Sequence, residues 1–324
     1  MSIDIVCLGE LLFDMFPAEL GRRLADVSAF QPKPGGAPAN VAVAVARLGL
    51  RSAFIGKVGE DAFGHRLAEV IAAEGVDICS LRFDPQARTT LAFIAMPDVN
   101  HAEFIFYRNP GADLRLRPDE LDASLFSGLR AFHCGSVSLV DDPARSATLA
   151  GIQMARRAGA LVSFDVNYRP NLWANPEDAL VQINQVVPQA DLLKVNEVEL
   201  KLLTGRDDLE PASQALLQRG PALVVVTLGT QGSFFATAQG SGAVPAFQVK
   251  TVDAVGCGDA FIAGLLTRLV GGAGWRTHLD PAQLREDLRY ANAVGALTAT
   301  KLGVIPALPT ASEVDAFLLS NPRP

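Results

Sequence analysis

"APANVAVAVARLGLRSAFIGKVG", residues 37 to 59, runs from an Ala/Val-rich helical pattern closed by Gly49 straight into the β-rich run SAFIGKVG. A helix that hands over so quickly to a short buried strand is half of a βαβ unit, and "IDIVCLG" at 3–9 supplies the strand before it. The rhythm recurs along the chain. It appears in "RAFHCGS" before a helical pattern from Pro143 to Ala158, in "ALVSFDVN", in "ADLLKVN" before "EVELKLLTG", and in "ALVVVTLG". Strands alternating with helices predict parallel pairing in an open sheet covered by helices on both faces, an α/β fold.

Two segments interrupt the pattern. Residues 11–34 lack a long amphipathic helix, and "RFDPQARTTLAFIAMPDVNHAEFIFYRNP" at 82–110 reads as two strands around the turn PDVNHAE. A small β element, discontinuous in sequence, is therefore expected to project from a core made of about 1–10, 35–81 and 111–324, all within one domain. Open α/β sheets bind ligands beyond the carboxyl ends of their strands, so the projection is placed to serve as a lid. From 258 onward the chain reads as mainly helical.

With 324 residues, 49% hydrophobic and 19% charged, the composition is that of a globular protein with a large core. A net charge of -7 argues against a nucleic-acid surface. Asp4 interrupts the apolar N-terminal run where a secretory signal would carry basic residues, and no apolar segment reaches bilayer length, so a cytoplasmic protein without a membrane partner is expected. The four cysteines form no CxxC pair and the four histidines show no ligand spacing, which argues against structural zinc or a disulfide framework.

Chemistry concentrates in "DAVGCGDAF" at 253–261. Gly256 and Gly258 permit a tight turn into a strong helical pattern, and such an entrance presents unpaired N–H groups and the positive end of the helix dipole, an anion cradle. Asp259 in the first turn is suited to accept a proton from a hydroxyl attacking a phosphoryl group held there; an ordinary first-turn acid is the competing reading. "PGGAPAN" at 34–40 again puts glycines at a helix entrance, followed by Asn40, whose amide both donates to and accepts from a sugar hydroxyl. Neither stretch is a P-loop or a dinucleotide fingerprint.

Together, "PGGAPANVAVAVARLG" and "DAVGCGDAF" resemble the two signatures of the ribokinase-like (PfkB) family of sugar kinases. "GELLFD", "AFIGKVGEDAFG", "RNPGADLRL", "FHCGSVSL", "DVNYRPNLW", "KVNEVEL" and "VTLGTQGS" follow in that family's order, and within it the chain is most similar to fructokinases. The resemblance implies a three-layer αβα, Rossmann-like core with a small β lid. It implies Asp259 as general base, and the amides of Gly256, Cys257 and Gly258 as the anion hole. Asp14, Gly35, Gly36, Asn40, Arg108 and Arg169 would bind sugar. For Asp14 a turn role, and for the arginines surface ion pairs, are what the residues alone suggest. Asn196 and Glu199 match the magnesium and phosphate motif, with Glu199 acting on Mg2+ through water, although an N-cap with a first-turn acid accounts for the same residues. Thr227, Gly229 and Gly232 match a nucleotide-binding turn and Asn292 falls near an adenine pocket. Asp253 and Val255, with backbone groups of Thr298, Lys301 and Gly303, match a potassium site of activated relatives. An Asp fixing its loop by hydrogen bonds to backbone amides is the alternative there.

The expected reaction is ATP-dependent phosphorylation of D-fructose on its 6-hydroxyl. A 2-keto-3-deoxygluconate kinase is the nearest rival, because two arginines would suit a sugar-acid carboxylate. A sugar sensor without turnover is the reading from another class. Exposed lid strand edges predict a homodimer. Ala254 stands where the family usually has threonine. Cys257 replaces a small residue at a helix N-terminus, which predicts thiolate character and protection from alkylation by ATP.

Overall fold

The alternating strand and helix runs form as expected, and the sequence order of the strands decides where a cleft opens. The computed structural model describes residues 2–19, 21–98, 101–272 and 274–322. Its strands are β1 (Ile5–Leu8), β2 (Leu12–Pro17), β3 (Phe30–Gly35), β4 (Ser52–Gly59), β5 (Leu81–Asp84), β6 (Leu91–Asp98), β7 (His101–Tyr107), β8 (Ala131–Gly135), β9 (Leu161–Asp165), β10 (Leu192–Asn196), β11 (Leu223–Thr227), β12 (Ser233–Thr237) and β13 (Gly240–Val244). The helices are α1 (Ala37–Arg47), α2 (Ala62–Ala73), α3 (Ala144–Arg157), α4 (Pro176–Val186), α5 (Glu197–Thr204), α6 (Leu209–Leu217), α7 (Cys257–Val270), α8 (Pro281–Thr298) and α9 (Ala311–Ser320).

Nine strands make one sheet in the order β13-β12-β11-β10-β9-β8-β1-β4-β5. From β11 to β5 every pair is parallel. Alternation along β1 shows how the three layers arise. Ile5 and Cys7 join a core built with α1, α7 and α8, whereas Val6 and Leu8 join the opposite core built with α3 and α4. Both faces of the strand are thus covered, which is why its sequence reads as a continuous apolar run. The strand order reverses around β1, between β4 on one side and β8 on the other, so a crevice opens beyond their carboxyl ends.

The two interrupting segments pair with one another. They give a four-stranded sheet, β3-β2-β6-β7, that follows directly from the end of β1. β6 and β7 form the expected antiparallel pair; the tip of their turn, Val99 and Asn100, lies outside the described residues. The antiparallel edge β12-β13 is not apparent from the helix–strand rhythm, because its connection is too short to leave a helical signal. α1 begins at Gly36, whose φ of 109° suits glycine, and a Cβ there would lie 2.4 Å from the Glu10 carbonyl oxygen.

Candidate active site

The N-terminal ends of α1 and α7 meet at the crevice. Asn40, in the first turn of α1, donates from Nδ2 to Oδ2 of Asp259 in the first turn of α7 at 2.8 Å, joining residues 219 positions apart. Asn40 is 3% exposed, and its Oδ1 has no partner among the described residues, so the acceptor is left for a ligand hydroxyl. Burial pushes the Asp259 carboxyl up to about 6, and the charge of Asp165 pushes the same way. The Asn40 hydrogen bond, Lys194 and Arg169 pull it back. A carboxylate tuned near neutrality is what proton abstraction from an alcohol needs.

Gly256 caps α7 with φ 77°, and Cys257 and Gly258 open the helix. The Cys257 amide leans back to the Ala254 carbonyl at 3.4 Å. The amides of Gly258 and Asp259 have no intrahelical carbonyl to reach, and they give the turn its anion-binding character.

Asp14 on β2 faces this point from the lid. Burial, and then the charge of Asp259, push its carboxyl up to about 7, while Arg169 opposes them. Gly35 pairs beside it on β3, and an ideal Cβ on Gly35 would stand 2.2 Å from Asp14 Oδ2. Gly35→Ala is therefore expected to displace the carboxylate and raise the sugar KM by about 5- to 100-fold, the value of one or two lost hydrogen bonds, with a smaller change in kcat; steady-state kinetics checks this.

The two arginines part company. Arg169 is exposed at the crevice, near enough for its charge to act on both Asp14 and Asp259. Arg108 is buried, with Nε and Nη2 on Asp113 Oδ2 at 2.8 and 2.5 Å and Nη2 also donating to the Val137 carbonyl. Its Nη1 lacks a partner among the described residues. Beside it, Glu10 binds the Ala37 amide through Oε1 and leaves Oε2 buried with no partner among the described residues, and burial holds this carboxyl up at about 7.

On the other side of α7 lies a cavity of about 450 Å³ lined by Asn196, Thr227, Gly229, Gly232, Gly258 and Asn292, among others. Gly229 and Gly232 have φ of 55° and 107°, and a Cβ on Gly232 would meet the Val244 carbonyl at 2.1 Å. Asn292 donates Nδ2 to the Val244 and Pro245 carbonyls, so it shapes this wall rather than offering a donor to a base. Asn196 and Glu199 form a capping box. Glu199 Oε2 accepts from the Asn196 amide and Oε1 from the Tyr168 amide, both at 2.8 Å. One amide on each oxygen leaves Glu199 acceptor capacity that a magnesium-bound water would suit.

Asp253 clamps two loops. Oδ1 accepts from the Val255 amide and Oδ2 from the Gly303 amide, each at 3.0 Å, so the loop-fixing reading is realised and the 298–303 turn is brought alongside. The expected thiolate at Cys257 is corrected. Burial, followed by the charges of Asp253 and Asp259, pushes its pKa up to about 11, which favours the protonated thiol at neutral pH.

Sequence reading includes Lys194 and Asp165 in KVNEVEL and DVNYRPNLW but gives neither a role. Lys194 sits in the middle of β10 and Asp165 ends β9, and Lys194 Nζ lies 2.8 Å from Asp165 Oδ2 with both residues buried. A charge inside the otherwise apolar strand LLKVN was the available signal.

A carboxylate at a glycine-headed helix terminus, between an open crevice and a second cavity, belongs to the class of phosphoryl-transfer enzymes. The chain belongs to the pfkB family of carbohydrate kinases, whose profile matches residues 2–311. It is 46% identical over 316 residues to fructokinase-2 of Solanum lycopersicum, covering 97% of this chain and 95% of that one. Among solved structures it resembles fructokinase from Xylella fastidiosa with bound ATP, at a TM-score of 0.91 and 36% identity over 99% of both chains. It also resembles a fructokinase double mutant from Vibrio cholerae O395 in a fructose, ADP and potassium ion bound form, at a TM-score of 0.88 and 36% identity over 98% of both chains.

Proposed function

We propose that the protein transfers the γ-phosphoryl group of ATP to the 6-hydroxyl of D-fructose. The observation that carries this reading is the buried Asp259 carboxylate, held by Asn40 in front of the α7 terminus, in a chain similar to fructokinases along its whole length. Asp14, Asn40 Oδ1 and Arg169 orient the sugar from the lid and crevice sides. Asp259 takes the hydroxyl proton as the sugar oxygen bonds to Pγ and the Pγ–O bond to ADP breaks. The amides around Gly256, Cys257 and Gly258 hold the transferring oxygens. The nucleotide occupies the 450 Å³ cavity, with Thr227, Gly229, Gly232 and Asn292 at its wall. Mg2+, when bound, would supply charge neutralisation of the phosphates, and Asn196 and Glu199 would hold it through water. The Asp253 clamp and the carbonyls of Val255, Thr298, Lys301 and Gly303 suit a potassium ion by their oxygen chemistry. Full turnover is then expected in potassium and reduced turnover in sodium.

Arg108 favours a neutral sugar over 2-keto-3-deoxygluconate, because Asp113 already neutralises it and leaves Arg169 alone to meet a carboxylate. A sensor has no use for a base aimed at a hydroxyl. A coupled ADP-release assay over fructose, ribose and 2-keto-3-deoxygluconate decides; a higher kcat/KM on the sugar acid than on fructose overturns the reading. Because Asp259 must be ionised to act, kcat/KM should hold above about pH 6 and fall about tenfold per unit below it, in a pH–rate profile.

Among the described residues no helix is long and apolar enough to cross a membrane. An ATP-consuming sugar kinase belongs where ATP is made available, and we place it in the cytoplasm. The lid has a second face, opposite Asp14, where Phe30 and Tyr107 pack against Phe93, and where Ile105 and Tyr107 remain exposed. We assign that face to a homodimer. Tyr107→Asp should then shift the protein to monomer in light scattering.

A further inference from the structure

Lys194 is the first residue of KVNEVEL and has no role in the sequence reading, yet its ammonium stands at the mouth of the anion hole. Nζ lies 3.2 Å from the point a Cβ on Gly258 would occupy, in front of the first turn of α7. The side chain is buried, and its one hydrogen bond among the described residues goes to Asp165 Oδ2 at 2.8 Å. An ammonium carries three donors, so two remain for a ligand. Its charge acts on Asp259 and Glu199 as well as on Asp165, which places it among the base, the capping-box acid and the helix terminus. Asp165 in turn has Oδ1 buried with no partner among the described residues, so the pair is not a closed, fully satisfied ion pair there.

Resting on the kinase reading above, we propose that Lys194 contacts the transferring γ-phosphoryl group directly, and that Asp165 holds the ammonium in place until that group arrives. As the sugar oxygen bonds to Pγ and the bond to the ADP oxygen breaks, negative charge spreads over the phosphoryl oxygens, and a buried point charge beside them stabilises this state more than the ground state. A lysine suits the task better than an arginine. Its compact head fits against a glycine and pivots between two anionic partners without a fixed fork geometry. Gly258 is thereby explained as the residue that leaves room for the ammonium.

The competing explanation is that Lys194 only neutralises Asp165, and the double variant Lys194→Met/Asp165→Asn separates the two. Removing the lysine alone strands a buried carboxylate and can unfold the protein; removing both charges does not. If Lys194 touches the phosphoryl group, the folded double variant still loses kcat by about 100- to 1,000-fold, as for loss of a transition-state donor, while fructose KM stays within about threefold. Recovery of kcat to within about tenfold of the parent overturns the proposal. Calorimetric affinities for ATP and ADP supply a readout without any sugar. The preference for ATP over ADP should drop at least about tenfold in the double variant, and an unchanged preference sinks the contact. Absence of turnover on fructose by the parent protein would sink the fructose reading and leave this binding test standing.

Discussion

Asp259→Asn is expected to lower kcat by about 10²- to 10⁴-fold, the usual contribution of a general base, with fructose affinity changed only a few-fold. The substitution is nearly isosteric. It keeps an oxygen for the Asn40 donor and removes a buried charge, so thermal stability should hold or rise. A second consequence separates loss of the base from a general disturbance of the site. The Asp14 carboxyl sits at about 7 through burial and through the negative charge of Asp259, so erasing that charge must lower it. The pH dependence of fructose binding, read by calorimetry, should shift toward acid in the variant. Turnover within about tenfold of the parent would show that another group takes the proton.

Gly256→Ala should be nearly as damaging although it adds a single methyl. At φ 77° an alanine costs about 1–2 kcal/mol of backbone strain. The added Cβ would also stand 2.2 Å from Val304 Cγ1. The first turn of α7 has to move, and it carries both the amides and Asp259. Displacement of reacting groups by about 1 Å costs on the order of 100-fold in rate, so kcat should fall by about that factor and the melting temperature by a few degrees. Val304→Ala added to this variant removes the closest methyls. It is expected to restore part of the melting temperature but little of the activity, because the left-handed backbone strain remains. Parental kcat in Gly256→Ala would show that the turn does not position the transferring group.

Both predictions concern residues legible without coordinates. Helix and strand periodicity, the glycines at 35–36 and 256–258 and the acid at 259 are short-range features: side-chain alternation, freedom at positive φ and orphan amides at a helix start depend on a residue and its near neighbours. The αβα layering, the interrupting lid and the placement of Asp259 followed from them. Where sequence reading was incomplete, the missing quantity was long-range. Arg108 looked available for a substrate until Asp113 and the Val137 carbonyl enclosed it. Cys257 looked reactive until Asp253 and Asp259 were seen to share its burial. Lys194 had no role in the sequence reading until the structure set its ammonium beside Gly258, 64 positions away.

Sequence alone determined the helix–strand alternation, apart from the β12-β13 edge, and the two glycine-headed turns, since local backbone preference is written residue by residue. The partners of each charge, the Asn40 grip on Asp259 and the protonation of the buried acids were decided only by tertiary structure, because desolvation and ion pairing depend on which distant segments pack together.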